Sequence, residues 1–144
     1  AIVNASGLNL VAKRSSAEKG YTWSSATVTS QDFVFAKGLL RFYAQAPKGN
    51  GFWTGLWCLI GKSQSELDVE EGGYVLKSDD PDDVEAVNLH TSGNSQAVKD
   101  LGIDLTDGLH LYEAVYQPGK SVSVFIDGQK LATYTSNVPT GASA

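Results

Sequence analysis

The chain has 144 residues, 42% hydrophobic and 19% charged, enough for one folded domain with its own core and without a disordered tail. With 11 basic against 16 acidic residues the net charge is −5. Lacking a basic cluster, that balance argues against nucleic acid and anionic membrane as partners and leaves neutral polymers or small molecules. A single cysteine, Cys58, excludes an intrachain disulfide, and with only two distant histidines it makes no zinc site.

No apolar run approaches membrane-spanning length. No secretory leader is read at the start, and methionine is absent even from position 1. The chain is therefore expected to be a processed product or an excerpt of something longer.

In chain order, Asn4-Ala5-Ser6 is a glycosylation sequon, a frequent chance match that matters only on a eukaryotic secretory route. "LNLVA" (8–12) and "LLRFYAQA" (39–46) are short and rich in branched or aromatic residues, as strands are, and "APKGNG" (46–51) reads as a turn. In the apolar stretch "WTGLWCLIG" (53–61), Cys58 is expected to be an inert buried thiol. Trp53 and Trp57 have the same parity and share a strand face. "IGKS" (60–63) lacks the earlier glycine of a phosphate-binding loop, with Leu56 in its place, and a strand follows where a helix is needed.

Beyond the acidic stretch taken up below, "SDDPDDVE" (78–85) has neither the alternating ligands nor the central glycine of a calcium loop and reads as a solvated loop. "EAVNLHT" (85–91) and "LHLYEAVYQ" (109–117) are further strands. In "KSVSVFIDGQKLATYT" (120–135) Val122, Val124 and Ile126 alternate with other residues, and Asp127-Gly128 is a strong hairpin-turn pair. No stretch keeps a helical period. The pattern predicts an all-β fold, a sandwich or jelly roll of antiparallel sheets.

The densest chemistry lies in "SELDVEEGG" (65–73), with Glu66, Asp68, Glu70 and Glu71 within six positions. On an extended strand, Glu66, Asp68 and Glu70 share one face while Leu67 and Val69 enter the core. Alternate positions lie roughly 6.5–7 Å apart, so a strand can present two carboxylates at the spacing glycoside hydrolysis needs. A middle acid would hold a proton or hydrogen bond between them and separate their pKa values. A solvent-facing acidic strand is the plainer alternative, set against unusually aromatic flanks.

This segment resembles the catalytic signature of glycoside hydrolase family 16, E-x-D-x-E or, with a bulge, E-x-D-x-x-E. The resemblance continues on both sides. "SATVTSQDFVFAKGLLRFYAQAP" and "KGNGFWTGLWCLIG" resemble the family's upstream segments, the second its G-x-W-P-A-x-W-L motif. "VNLHTSGN" resembles the strand that follows the catalytic one, and "LHLYEAVYQPGKSVSVFIDGQKLATY" the H-x-Y and F-x-x-D-G region. It covers nearly all of residues 1–144, taken as one domain, and implies a β-jelly roll of the concanavalin A-like type with a concave substrate cleft.

The resemblance implies Glu66 as nucleophile and Asp68 as the assisting acid of an endo-acting, retaining hydrolase of a secreted type. Plain alternation selects Glu70 as general acid/base; a one-residue bulge selects Glu71, which Gly72 and the following "LHT" favour. His90 is placed near the acids, with Trp53, Trp57 and, more weakly, Tyr116 as saccharide platforms; His110 is left as structural. No metal or other cofactor is implied for catalysis. Structural calcium is compatible with the fold by analogy alone, without named ligands.

Ser65, Thr54, Arg41, Tyr43 and Tyr116 depart from the laminarinase-like pattern, so substrates beyond β-1,3- or β-1,3/1,4-glucan, such as a galactan or an exopolysaccharide, enter the field. Family members carry further strands at both termini; either these sit in another piece of chain, a second chain or fragment acting as partner, or residues 1–144 are part of a longer domain. The alternative from another class is a non-catalytic carbohydrate-binding or structural jelly roll. The complete carboxylate set favours an enzyme.

Overall fold

The computed structural model describes residues 1–14, 20–30, 33–49, 51–61, 65–72, 84–91 and 93–141, with residues 84–86 as backbone only. Of the acidic loop expected at 78–85, residues 78–83 lie outside these residues and Val84 and Glu85 open a strand instead; the Lys62-Ser63 pair of the rejected phosphate-loop match also lies outside. Where the sequence suggests one domain, contacts group the chain into two compact units, Ala1–Phe33 and Val34–Ala144.

The first unit holds two small antiparallel ribbons. β1 (Ile2–Asn4) pairs with β2 (Gly7–Asn9), and β3 (Lys13–Arg14) with β4 (Trp23–Ser24). The expected strand at 8–12 ends at Asn9, which pairs with Ile2, and the turn between the two strands is held by Asn4 Oδ1, which accepts the Ser6 N–H at 2.9 Å. The Arg14 guanidinium lies 6.0 Å over the Trp23 ring and ties the second ribbon across its strands.

The second unit is a sandwich of two four-stranded antiparallel sheets. β5 (Gly38–Ala44) lies beside β10 (His110–Gln117), which is followed in the same sheet by β11 (Ser121–Ile126) and β12 (Gln129–Tyr134). The other sheet is a meander of β6 (Gly55–Ile60), β7 (Ser65–Glu71), β8 (Val84–His90) and β9 (Ser95–Asp100). The chain thus crosses from the first sheet to the second after β5 and returns before β10. Neither sheet closes on itself, and the Phe35 N–H bonds the Leu59 carbonyl at 2.8 Å along the edge of β6. Among the described residues no helix is long and apolar enough to cross a membrane.

Alternation builds the core. Ile60, Leu67, Val69, Val87 and Leu89 project from one sheet onto Tyr112, Ala114, Tyr116, Val122, Val124 and Ile126 of the other, all buried. Side chains of the size of Leu, Ile or Val each contribute about 1.5–3 kcal/mol when fully buried, which anchors the central strands β7 and β10. The β11–β12 hairpin turns at Asp127-Gly128, both at positive φ (47° and 78°), as a two-residue turn of the twisted type requires. His110 and Asp127 close that end, with Nδ1 2.7 Å from Asp127 Oδ2.

One sequence expectation fails against this core. Tyr116, foreseen as a saccharide platform, is only 1% exposed. It packs against Phe35 with ring centroids 5.9 Å apart, and its hydroxyl donates to the Pro139 carbonyl at 2.7 Å. Its position on β10, in step with Tyr112 and Ala114, turns it inward. Arg41 and Tyr43, taken as departures bearing on substrate, lie on the outer face of the sheet opposite β7, where Arg41 Nε is 2.7 Å from Glu113 Oε1.

Candidate active site

β7 runs between β6 and β8, and its first half is regular. Glu66 stands opposite His90, Leu67 opposite Leu89, and Asp68 opposite both Asn88 and Trp57. Leu67 and Val69 are fully buried, so Glu66 and Asp68 occupy the face turned away from the core, together with Trp57, Asn88 and His90.

Regular pairing stops at Val69. On the β6 side the partner of Asp68 is Trp57 while that of Glu70 is Leu56; on the β8 side Asp68 meets Asn88 and Glu71 meets Ala86. One residue of β7 is therefore extra against both neighbours, a β-bulge. Beyond it the faces exchange. Glu71, not Glu70, comes round to the side of Glu66 and Asp68, where its carboxylate accepts from the Asn88 side-chain amide and, at 3.1 Å, from the Trp53 indole N–H. Glu70 is 3% exposed, and its carboxyl is held by the Thr54 hydroxyl. Plain alternation, which would group Glu66, Asp68 and Glu70, does not describe this strand.

Glu66, Asp68 and His90 bring their donor atoms within 4.8 Å of one another, close enough to share a cation as well as protons. His90 Nε2 lies 3.0 Å from Asp68 Oδ2. Burial, then the charges of Glu66 and Glu71, push the Asp68 carboxyl up to about 6 against the opposing pull of His90. Burial pushes the Glu70 carboxyl up to about 7, offset in part by hydrogen bonds from Thr54 and from the N–H groups of Leu56 and Gly72, while Glu71 raises it. On the other side of β6, burial and the Asp68 charge push the Cys58 thiol to about 12, leaving it unreactive at neutral pH.

Trp53 is 65% exposed and Trp57 40%, so two indoles flank the acids with open rings. Two partners are not legible in the sequence pattern alone. Asn88 shares parity with His90, and that spacing on one strand is its only signal; Thr54 has none, because its bond to Glu70 exists only beside the β6–β7 bulge.

The second unit is thus an antiparallel β-sandwich whose acidic central strand is bulged at Val69 and flanked by two exposed indoles. Among solved structures, the fold is that of glycoside hydrolase family 16 proteins. The laminarinase catalytic domain from Thermotoga maritima MSB8 superposes with a TM-score of 0.70 at 22% identity, over 88% of this chain and 55% of that one. A β-1,3-1,4-glucanase (lichenase) derived from a mouse hindgut metagenome gives 0.71 at 19% identity, over 91% and 60%. A family 16 endo-glucanase from Bacteroides ovatus gives 0.63 at 19%, over 78% and 54%. The chain thus spans little more than half the length of these structures. No protein-family model matches the sequence, and no curated protein does.

Proposed function

We propose that the chain carries the catalytic strand of an endo-acting, retaining glycoside hydrolase, secreted and acting on a β-linked polysaccharide. One observation supports this above the others: the bulge at Val69 that groups Glu66, Asp68 and Glu71 beside two exposed indoles. A sequence chosen only to solvate a strand has no use for a bulge that buries one glutamate and turns out the next.

In this reading Glu66 attacks the anomeric carbon and Glu71 protonates the leaving oxygen. Water then resolves the glycosyl-enzyme, with Glu71 as base, and configuration is retained. Such chemistry needs carboxyl groups about 5–5.5 Å apart. Asp68, between them and lifted to about 6, carries a proton in mildly acidic solution and so limits repulsion against Glu66. His90 sits against Asp68 and fixes its orientation. Glucans with β-1,3 or mixed β-1,3/1,4 linkages are the substrates proposed first, by likeness to the laminarinase and lichenase folds. A structural calcium ion and a second piece of chain completing the open sheets are part of the proposal, the first without named ligands.

The exposed pair Trp53 and Trp57 also favours a second reading, a carbohydrate-binding domain without catalysis. Reducing-end release from laminarin, lichenan, agarose, carrageenan and a bacterial exopolysaccharide separates the two. Release by the wild type that disappears in Glu66→Gln, both folded by circular dichroism, supports the hydrolase. Retention on a polysaccharide gel with no release from any of them supports the binding domain.

A further inference from the structure

Glu70 has no part in the reaction just described, yet it is one of the most deeply buried polar side chains among the described residues. A buried acid costs stability that an apolar residue there would not. What surrounds it is specific. Thr54 grips both neighbours of Glu71: its hydroxyl bonds the Glu70 carboxyl, and its carbonyl accepts the Gly72 N–H at 3.1 Å. Leu56 is the residue of β6 that stands opposite Glu70 across the bulge. A Cβ at position 72 would collide with the Thr54 hydroxyl and lie 3.1 Å from Glu70 Oε1, so the cradle closes only around a glycine. With residues 70 and 72 both pinned to β6, the residue between them has one direction left, outward.

We infer that Glu70 is a positioning residue: held by Thr54, which also bonds Gly72, it locks the bulge of β7 and thereby aims Glu71 at the saccharide face. The inference rests on the reading of Glu71 as acid/base for its catalytic consequence, but its geometric content stands apart from catalysis. The Glu70–Thr54 pair does what a ladder hydrogen bond would do in an unbulged strand, at the one place where the ladder is broken.

The Trp53 indole reports the outcome, because its N–H donates to Glu71. The chain has three tryptophans, so three indole signals are expected in a 1H–15N spectrum, and Trp53→Phe assigns the one concerned. Glu71→Gln sets the shift that follows from altering the acceptor. Glu70→Leu and Thr54→Val are expected to move the Trp53 signal in the same sense while most other resonances stay; Glu70→Gln, which keeps an acceptor oxygen, is expected to leave it near the wild-type position. On whichever polysaccharide the wild type hydrolyses, Glu70→Leu should lower kcat about 10- to 100-fold with KM little changed. An unmoved Trp53 signal in folded Glu70→Leu and Thr54→Val overturns the inference. If Glu70→Leu does not fold, Thr54→Val, of nearly the same shape, decides alone. A wild type that hydrolyses nothing defeats the glycosidase reading, and the indole signal still decides the positioning role.

Discussion

Glu70 and Glu71 are adjacent in the chain and face opposite ways: Glu71 reaches Asn88 and Trp53, while Glu70 turns back to Thr54. The division has a thermodynamic consequence. Asp68 and Glu70 hold their protons to about 6 and about 7 in the folded chain, against 3.8 and 4.5 ordinarily. Between those limits the folded state binds more protons than the unfolded one. The contribution of these two acids to stability is therefore full below about pH 4 and is lost as pH rises towards 7. Urea unfolding at pH 5 and pH 8 should show the lower midpoint at pH 8. Glu70→Gln, which has no charge to bury, should recover up to about 3 kcal/mol at pH 8 and little at pH 4. Equal midpoints at both pH values would show that neither acid is held as described.

Trp53 is expected to contribute binding surface as well as a hydrogen bond. In a Glu66→Gln background, which removes turnover from the measurement, Trp53→Ala should weaken polysaccharide binding about tenfold, equivalent to ~1.4 kcal/mol. Trp53→Phe keeps an aromatic face but loses the indole N–H that reaches Glu71, and should retain most of the affinity while lowering kcat. Calorimetry for binding and initial rates for kcat separate the two effects.

Asn88 carries no charge and makes no proton transfer, yet its amide is a donor to Glu71 from the strand on the other side. On the proposed role of Glu71 as acid/base, Asn88→Ala should lower kcat about 10-fold with KM within twofold, since a less firmly held acid/base affects the transition state more than the bound ground state. A rise in KM alone would instead make Asn88 a substrate contact.

The burial of Tyr116 makes a contrary prediction. Tyr116→Phe loses the hydroxyl bond to the Pro139 carbonyl and should cost about 1 kcal/mol of stability. Polysaccharide binding and hydrolysis should be unchanged. A loss of binding without a loss of stability would restore the tyrosine to the saccharide face.

Sequence alone determined the fold class here, because alternation and turn chemistry are local. Val122, Val124 and Ile126 point inward together for the same reason that Asp127-Gly128 turns, namely the backbone angles and side-chain parity of a few residues. The same parity located the acidic strand, whereas His90 was expected near the acids only by resemblance, and its place opposite Glu66 belongs to the β7–β8 register. Tyr116, expected as a platform for its aromatic ring, is buried instead, because an aromatic ring suits a core as well as a saccharide face and only the packing of the second sheet decides between them.

Whether Glu70 or Glu71 joins Glu66 lay beyond local reasoning for a related reason. A bulge is a mismatch between strands: it exists only where β6 and β8 each offer one residue against two, and where Thr54, sixteen positions before Glu70, supplies the hydroxyl that holds the inward acid. Gly72 could be read in advance as permissive, but only the approach of Thr54 and Glu70 to its missing side chain makes it necessary. The strand's own residues supplied the carboxylates. The neighbouring strands decided which of them turn outward, because register belongs to the pair and not to the segment.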